Sequence, residues 1–379
     1  MNWQPSSDLK GRVVLVGIDA SRAVTSEPTG TEIYSLCLIQ EMLRLSASHD
    51  FRLYTRSRPS NGVFPDARVR VIPFPRMWTH LRLSWEMFRF PPDVLFVPAH
   101  VLPLIRPRRT VVTVHDLGYV KFPEAHPVRQ RAYLALSTWW NVRVASHVVA
   151  DSKATRADII TRYRVDPGKV TVVYPGVNEA LNPVKDREQI EVAKTRYGID
   201  GRYFLYLGRL QPRKNLSALV TSFNELLPEL ASDFRLVLAG KVGWMTETLF
   251  SQITGLGLEN RVILPGYVAD TDKAALLSGA EAFLFPSLYE GFGLPVLEAQ
   301  SCGCPVMTST TSSLPEVAGD SALLVDPADG RAITGAMRRL ATDSELRRAL
   351  SVAGQRNVCR FSWASSAQEL LRIIGDLME

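Results

Sequence analysis

Cysteine is scarce in this sequence, with four residues in a chain of 379. Cys37, Cys302, Cys304 and Cys359 form no Cys-x-x-Cys pair, and no closely spaced pair of histidines accompanies them. This spacing argues against a zinc site and against a disulfide framework. We therefore expect reduced cysteines that pack as small core residues.

Long hydrophobic runs are also absent. Residues 1–12 are polar, and the apolar run Val13–Ile18 is much shorter than a signal-peptide core or a membrane-spanning helix. We therefore expect a cytoplasmic protein. Glycine and proline, 24 of each, stay well below the level of a low-complexity chain. The length then predicts about two folded domains.

Negative charge is in short supply in the first half of the chain. Residues 1–188 carry 26 Lys and Arg against 17 Asp and Glu, a net charge of +9, whereas residues 189–379 carry −3. Such asymmetry indicates an anionic partner of the first half, whether nucleic acid, a phospholipid surface or a phosphorylated substrate. Unselected surface charge explains it equally well. The chain contains no recognisable nucleic-acid-binding motif, so we expect no nucleic-acid partner.

Short apolar runs rich in Val, Leu and Ile alternate with amphipathic stretches, which is the pattern of β-α-β units with buried parallel sheets. The sequence therefore predicts an α/β fold with two doubly wound, Rossmann-like domains. The boundary between them is expected near Asn182–Glu191. The ligand crevices of the two domains are expected to face each other across a cleft. The predicted strands are Val13–Ile18, Phe51–Thr55, Val69–Ile72, Val94–Val97, Thr110–Val114, His147–Ala150, Val170–Val173, Tyr203–Leu207, Arg235–Ala239, Val262–Leu264, Ala282–Phe285, Pro305–Thr308 and Ala322–Val325.

The richest motif covers residues 283–306, where a predicted strand is followed by a loop with Glu290, Gly291 and Gly293 and then by a helix. The two glycines allow the backbone to approach a ligand closely, and the N–H groups at a helix start bind phosphate. Glu298 lies about one turn inside the helix, where a carboxylate can accept hydrogen bonds from ribose hydroxyls, while Glu290 can reach a sugar ring. Alternatively, Glu298 only complements the helix dipole.

A second motif places two cations after a strand. Arg209 and Lys214 follow the carboxyl end of the predicted strand Tyr203–Leu207, and two fixed cations at that point suit a diphosphate. Lys and Arg are most often solvated surface residues, so the pair alone would mean little. Its position directly after a strand favours ligand binding.

Two further residues lie where a strand or a loop meets the predicted cleft. His115 directly follows the apolar strand Thr110–Val114. A lone histidine is more often a structural residue, but a strand end on the cleft side favours a functional one. Gly30 lies at the start of a predicted helix, after Glu27–Thr29, at a position where anions bind.

Aromatic residues recur at helical spacing between residues 77 and 90, at Trp78, Leu81, Trp85 and Phe88. Such a stripe predicts a helix that faces the core. A face that dips into a membrane is the alternative.

Four segments together resemble the retaining glycosyltransferases of glycosyltransferase family 4, which have the GT-B fold. The resemblance covers nearly the whole chain in the expected order, and LVLAGKVGW and TVHDLGYVKFPE are similar to bacterial mannosyltransferase-like members that build cell-surface polysaccharides. The four segments are VVTVHDL (111–117), GRLQPRKN (208–215), EGFGLPVLE (290–298) and SSLPEVAGDSALLVDP (312–327).

The resemblance implies an N-terminal acceptor domain over residues 1–188 and a nucleotide-sugar donor domain over residues 189–362. A final helix, 363–379, would cross back to the first domain. The family often has two adjacent glycines in its first loop, whereas this chain has Pro28–Thr29–Gly30.

Eight residues receive roles from the resemblance. His115 and Glu290 are the expected catalytic pair, with His115 near the donor sugar and Glu290 on its hydroxyls. The expected donor-binding residues are Arg209 and Lys214 on the diphosphate, Glu298 on the ribose, the backbone of Gly293 and Leu294 near the phosphates and sugar, and Gly30 in the loop over the diphosphate.

The implied reaction transfers a hexose, with mannose from GDP-mannose favoured, to a saccharide or lipid-linked acceptor. Front-face attack is favoured over double displacement. No metal or other cofactor is expected, since Arg209 and Lys214 supply positive charge and we interpret Asp270–Asp272 as a helix cap. The basic first half suggests an anionic membrane surface as a partner, which would place the protein at the inner membrane face. The alternatives are a nucleotide-sugar epimerase of the GT-B type and a non-enzymatic nucleic-acid-binding protein.

Overall fold

Two parallel β-sheets form the framework of the computed structural model, which describes residues 13–24, 30–45, 49–60, 62–64, 67–99, 101–125 and 127–379. Residues 27–29, which belong to the predicted loop before Gly30, lie outside the described residues. One sheet belongs to the first half of the chain and the other to the second half.

The first sheet has seven strands, all paired in parallel. They are β1 (Leu15–Asp19), β2 (Asp50–Thr55), β3 (Arg68–Val71), β4 (Val94–Val97), β5 (Arg109–Val114), β6 (His147–Ala150) and β7 (Val170–Val172). Their order is β3-β2-β1-β4-β5-β6-β7. The order reverses between β1 and β4, which opens a crevice at the carboxyl ends of these strands.

The second sheet repeats this topology with six parallel strands. They are β8 (Tyr203–Leu207), β9 (Arg235–Ala239), β10 (Val262–Ile263), β11 (Ala282–Phe285), β12 (Val306–Ser309) and β13 (Leu323–Val325). The order β10-β9-β8-β11-β12-β13 reverses between β8 and β11. A second crevice therefore lies where these two strands end.

Helices connect the strands, and several of them begin at the residue types that cap helices well. The side chains of Ser152, Asp329 and Ser362 each accept a backbone N–H of the first helical turn. The helices are α1 (Gly30–Leu45), α2 (Ser84–Arg89, continuing a π-helical segment Trp78–Leu83), α3 (Gly118–Lys121), α4 (Val128–Val144), α5 (Lys153–Tyr163), α6 (Arg187–Arg196), α7 (Leu216–Leu226), α8 (Glu247–Gly255), α9 (Asp270–Gly279), α10 (Leu294–Ser301), α11 (Leu314–Ala318), α12 (Gly330–Thr342), α13 (Ser344–Val358) and α14 (Trp363–Asp376).

The predicted fold class is confirmed. All thirteen predicted strands are present, and β4, β6, β8, β9 and β11 have the predicted bounds. The other strands differ by one or two residues at one or both ends. The strands were recognisable because both faces of each sheet are covered, so the strands consist largely of apolar residues.

The last helix, α14, packs on α1 of the first half. Ala367, Leu370 and Ile374 of α14 share one buried cluster with Leu38 and Met42 of α1. The apolar side of this helix thus has its partner surface 325 or more residues earlier in the chain. Its amphipathic pattern is explained by this packing.

The prediction that the aromatic stripe faces the core is wrong for most of its members. Trp78 is buried and its indole N–H donates to the Ile72 carbonyl at 2.8 Å. Leu81, Trp85 and Phe88, however, are 50%, 56% and 63% exposed. The helix buries its other face, which carries Leu83, Ser84 and Met87. Helical spacing identified a stripe of apolar residues correctly. The helix has a second apolar stripe, however, and it is this second stripe that packs against the core.

The cysteines follow the expectation in part. Cys302 and Cys304 are buried and unpaired, whereas Cys37 is half-buried and Cys359 is exposed, so the prediction of a core position is wrong for Cys359. The last turn of α13 places Cys359 beside the backbone at the helix end, where its thiol donates to the Gln355 carbonyl.

None of the helices in the described ranges is both long enough and apolar enough to span a bilayer.

Candidate active site

A cavity of about 520 Å³ lies where the two sheets face each other. Its lining comes from residues that follow strands of both sheets, as the two crevices require. The structure brings all eight of the predicted site residues to this one cavity. They are Gly30, His115, Arg209, Lys214, Glu290, Gly293, Leu294 and Glu298.

A buried ion pair forms the centre of the donor-side wall. The Lys214 ammonium lies 2.5 Å from Oε1 of Glu290, and the two residues are only 8% and 7% exposed. Lys214 ends a short turn, Pro212–Lys214, that follows β8, and Glu290 lies in the loop after β11. The neighbouring strands β8 and β11 therefore bring together residues that are 76 positions apart.

The charge on Glu290 is maintained by two cations. Burial alone would favour the neutral acid, but Lys214 and Arg213 outweigh it and hold the pKa of Glu290 below its usual value. Nη1 of Arg213 lies 3.5 Å from Oε2 of Glu290 and donates to the Tyr289 carbonyl at 2.8 Å. Sequence reasoning missed Arg213, although it lies in the quoted motif beside Lys214. The site thus holds a fixed carboxylate between the buried Lys214 and the half-buried Arg213.

Arg209 differs from these two cations because it is exposed at the cavity wall. Within the described ranges, no carboxylate lies within ion-pair distance of its guanidinium. An arginine without an internal partner is available to a bound anion, and its planar fork suits phosphate oxygens.

His115 faces the cavity from the first sheet. It follows β5, and its Nδ1 lies 2.6 Å from Oδ2 of Asp151, the residue that follows β6. Burial disfavours the imidazolium, but Asp151 outweighs that effect and raises the pKa of His115 above its usual value. The Tyr34 ring packs edge-on at 4.8 Å from the His115 ring. Asp151 and Tyr34 also line the cavity, and sequence reasoning missed both.

The start of α10 forms another part of the wall. Gly293 precedes this helix with φ 116°, a left-handed conformation that favours glycine. Leu294 is the first helical residue, and Glu298 follows one turn later. Burial raises the pKa of the Glu298 carboxyl, although the nearby Lys273 opposes the shift. N–H groups at a helix start suit an anion, although here Pro295 has none and the Val296 N–H donates to the Gly293 carbonyl at 3.0 Å. The Glu298 carboxyl beyond them suits hydroxyl donors.

The two halves of the chain touch beside the cavity. A Cβ added at Gly291 would lie 2.0 Å from the His115 carbonyl oxygen, so only glycine fits this contact. The Thr155 hydroxyl donates to the Gly291 carbonyl at 3.1 Å, and the Tyr289 hydroxyl donates to Asp158 at 2.9 Å. These contacts set the distance between the two walls.

The interpretation of Asp270 and Asp272 as a helix cap is wrong. Both lie inside the first turn of α9, and the preceding Ala269 occupies the cap position. Both oxygens of Asp272 instead accept from Nη1 of Arg196 at 2.7 Å, which ties α6 to α9. Asp270 pairs with Lys273. Across the residues that the structure describes, no three His, Cys, Asp or Glu side chains are grouped so as to hold a metal ion.

Family models match both halves of the chain. Residues 28–181 match the model for Glycosyltransferase Family 4, and residues 188–357 match the model for glycosyl transferases group 1. The chain is 30% identical over 290 residues to the O-antigen chain mannosyltransferase B of Escherichia coli, with 76% of each chain covered. It is 32% identical over 226 residues to the serotype-specific mannosyltransferase WbdA of Escherichia coli, with 59% of this chain but only 28% of WbdA covered.

Solved structures agree on the fold. HepE from Anabaena, crystallised with UDP and glucose, superposes with a TM-score of 0.74 at 18% identity, covering 96% of this chain and all of that one. WaaG, a glycosyltransferase involved in lipopolysaccharide biosynthesis, gives a TM-score of 0.73 at 17% identity, covering 95% and 99%. The fold, the cavity between the two domains and the sequence matches agree. The chain is therefore a GT-B glycosyltransferase and belongs to glycosyltransferase family 4.

Proposed function

We propose that this glycosyltransferase transfers mannose from GDP-mannose to a saccharide or lipid-linked acceptor during synthesis of a cell-surface polysaccharide, and that it retains the anomeric configuration of the donor. The observation that carries the proposal is the charged wall of the cavity, where Arg209 and the Lys214–Glu290 pair lie beside the start of α10. The choice of mannose rests on the similarity to mannosyltransferases of O-antigen synthesis.

The proposed donor contacts follow from the charges of these groups. Arg209 and Lys214 contact the diphosphate, together with the N–H groups around Gly293 and Leu294. Glu298 accepts hydrogen bonds from the ribose hydroxyls. Gly30, at the start of α1, lies over the diphosphate from the opposite wall.

The proposed chemistry is cleavage of the bond between the sugar and the diphosphate. Negative charge accumulates on the leaving phosphate in the transition state, so Arg209 and Lys214 stabilise that state more than the ground state. Glu290 and His115 contact the sugar from the two walls. The acceptor attacks from the face that the phosphate leaves, and the departing phosphate takes the acceptor proton. The proposed transfer step uses no side-chain nucleophile and no metal ion.

Donor binding is tested by thermal unfolding with a panel of nucleotide sugars. A ligand that binds only the folded protein raises the unfolding temperature. GDP-mannose should raise it, and Arg209→Ala should remove that increase while leaving the ligand-free unfolding temperature unchanged, because Arg209 is exposed. A response to UDP-sugars and none to GDP-mannose would contradict the proposed donor.

The same panel separates transfer from epimerisation. A transferase should leave GDP-mannose unchanged in the absence of an acceptor, apart from slow hydrolysis. Conversion of the donor to another nucleotide sugar without an acceptor would show an epimerase instead.

A further inference from the structure

The exposed apolar residues of the 78–89 helical segment form a continuous stripe. Leu81, Trp85 and Phe88 follow one another at the spacing of one helix face and are all at least half exposed. The rings of Trp85 and Phe88 lie 5.8 Å apart. Large aromatic side chains in this number are seldom left in water without a partner.

Two neighbouring segments enlarge this face. Leu136 and Trp139 of α4 are 65% and 46% exposed, and Leu104 and Ile105, in the loop after β4, are 53% and 48% exposed. We call these four residues, with Leu81, Trp85 and Phe88, the apolar face.

Direct contacts connect the three segments. The His80 ring lies 6.3 Å from that of Tyr133 in α4. The Ile105 N–H donates to the Ser84 hydroxyl at 3.3 Å, and the Arg106 guanidinium lies 5.1 Å from the ring centroid of Trp140. The three segments that carry the apolar face therefore pack against one another.

The segments that carry the apolar face expose charges of one sign. Residues 72–90, 101–108 and 128–144 contain a single acidic residue, Glu86, which is 1% exposed and paired with Arg70 and Arg82. These segments thus expose no carboxylate. The same segments carry the arginines Arg76, Arg82, Arg89, Arg106, Arg108, Arg129, Arg131 and Arg143.

We propose that the apolar face, with its surrounding arginines, docks on an anionic phospholipid bilayer, with Trp85 and Phe88 inserted among the acyl chains near the headgroups. Helices of this kind, with aromatic and Leu residues on one side and basic residues beside them, lie in the plane of the interface. Each arginine near the surface adds electrostatic attraction to anionic lipids.

A second copy of this chain is a poor occupant of the same surface. A two-fold contact places the same residues of both copies against each other, and here that would oppose arginine with arginine without a carboxylate to compensate. A bilayer supplies the missing negative charge and tolerates any arrangement of the aromatic side chains. Charge complementarity therefore favours the bilayer.

Vesicle flotation without any nucleotide sugar tests docking separately from donor binding. The vesicles are phosphatidylcholine alone and an equal mixture of phosphatidylcholine and phosphatidylglycerol. The protein should float with the mixed vesicles and much less with the neutral ones. Binding should weaken as salt rises, because the Debye length shrinks to about 8 Å at physiological ionic strength. The double variant Trp85→Ser, Phe88→Ser should bind the mixed vesicles at least about tenfold more weakly than the wild type.

Control variants distinguish the surface from general charge or hydrophobicity. Val352→Ser removes an apolar side chain that is 45% exposed on α13 and should bind like the wild type. Arg106→Ser with Arg129→Ser should reduce binding to the mixed vesicles to near the level of the neutral ones. The proposal is overturned if the wild type stays unbound at low salt, or if the Trp85 and Phe88 variant floats as well as the wild type. It is also overturned if sedimentation shows a dimer that this variant dissolves.

Discussion

Oδ2 of Asp151 accepts a hydrogen bond from Nδ1 of His115 at 2.6 Å, across the carboxyl ends of two adjacent strands. Asp151 is 5% exposed, so its carboxylate is shielded from water. A carboxylate in this position fixes both the orientation of the ring and the nitrogen that carries the proton. We infer that Asp151 positions His115 in the cavity.

Asp151→Asn should lower the pKa of His115, because the carboxylate that favours the imidazolium is lost. Titration of the His115 ring by NMR measures this directly, and an unchanged pKa would contradict the positioning role.

The pair of His115 and Asp151 also affects the stability of the folded protein. Asp151 raises the folded-state pKa of His115. The stabilisation of the folded state by this pair is therefore complete below the unfolded-state pKa of His115, and it is lost as pH rises through the folded-state pKa. The wild type should therefore exceed the variant in stability more at acidic than at alkaline pH.

The Lys214–Glu290 pair should matter for both catalysis and stability. Removal of a preorganised electrostatic contact typically reduces the rate about 10²–10³-fold, and we expect that loss for Glu290→Gln and for Lys214→Ala. Both residues are buried, so these variants should also lose stability. Lys214→Ala leaves a buried carboxylate without its closest partner, which costs on the order of 3–5 kcal/mol.

Unfolding measurements with a matched control separate the two effects. Lys185→Ala, at an exposed lysine outside the cavity, should change neither the rate nor the unfolding temperature. Because the pKa of Glu290 is depressed, the stabilisation by the pair is present above its unfolded-state pKa and is lost as pH falls through the folded-state value. Normal turnover in Glu290→Gln would remove Glu290 from the proposed mechanism.

Transfer should not depend on a divalent metal ion. In the proposal, Arg209 and Lys214 bring the positive charge that a metal would otherwise supply to the diphosphate. Dialysis against a chelator should leave the transfer rate within about twofold of the untreated enzyme. Complete loss of activity that is restored by magnesium or manganese would refute this prediction.

Gly291→Ala should destabilise the contact between the two domains. The added Cβ would lie 2.0 Å from the His115 carbonyl oxygen, so the backbone must shift, and such overpacking typically costs about 1–3 kcal/mol. Gly335→Ala is the matched control, since a Cβ there meets nothing within 4 Å and Gly335 lies inside α12. That control should raise stability by about 0.5–1 kcal/mol. Equal unfolding temperatures for the two variants would contradict this account of the contact.

The sequence predicted the strands and the residues at their carboxyl ends because both depend on local patterns. Buried parallel strands consist of apolar runs, and the residues that follow them gather at one edge. Asp151 was within reach of the same argument, since it follows the predicted strand His147–Ala150 just as His115 follows Thr110–Val114.

Features that depend on packing between distant segments were out of reach. The sequence pattern placed Lys214 and Glu290 at the same edge of the second sheet. Their ion pair, however, depends on how the two loops that carry them, 76 residues apart, fold at that edge. The face of the 78–89 segment that reaches the core was equally undetermined, because Leu83 and Met87 on one side and Trp85 and Phe88 on the other are all apolar. Asp272 was assigned to its own helix end, whereas its partner Arg196 lies on α6.

The most direct test of the central claim is a transfer assay with labelled GDP-mannose and lipid-linked saccharides extracted from bacterial membranes. The account predicts that label enters the saccharide fraction with the wild type and not with Glu290→Gln, and that NMR of the product shows mannose in the same anomeric configuration as in the donor. Transfer of a different sugar in preference to mannose, or a product with the opposite anomeric configuration, would contradict it.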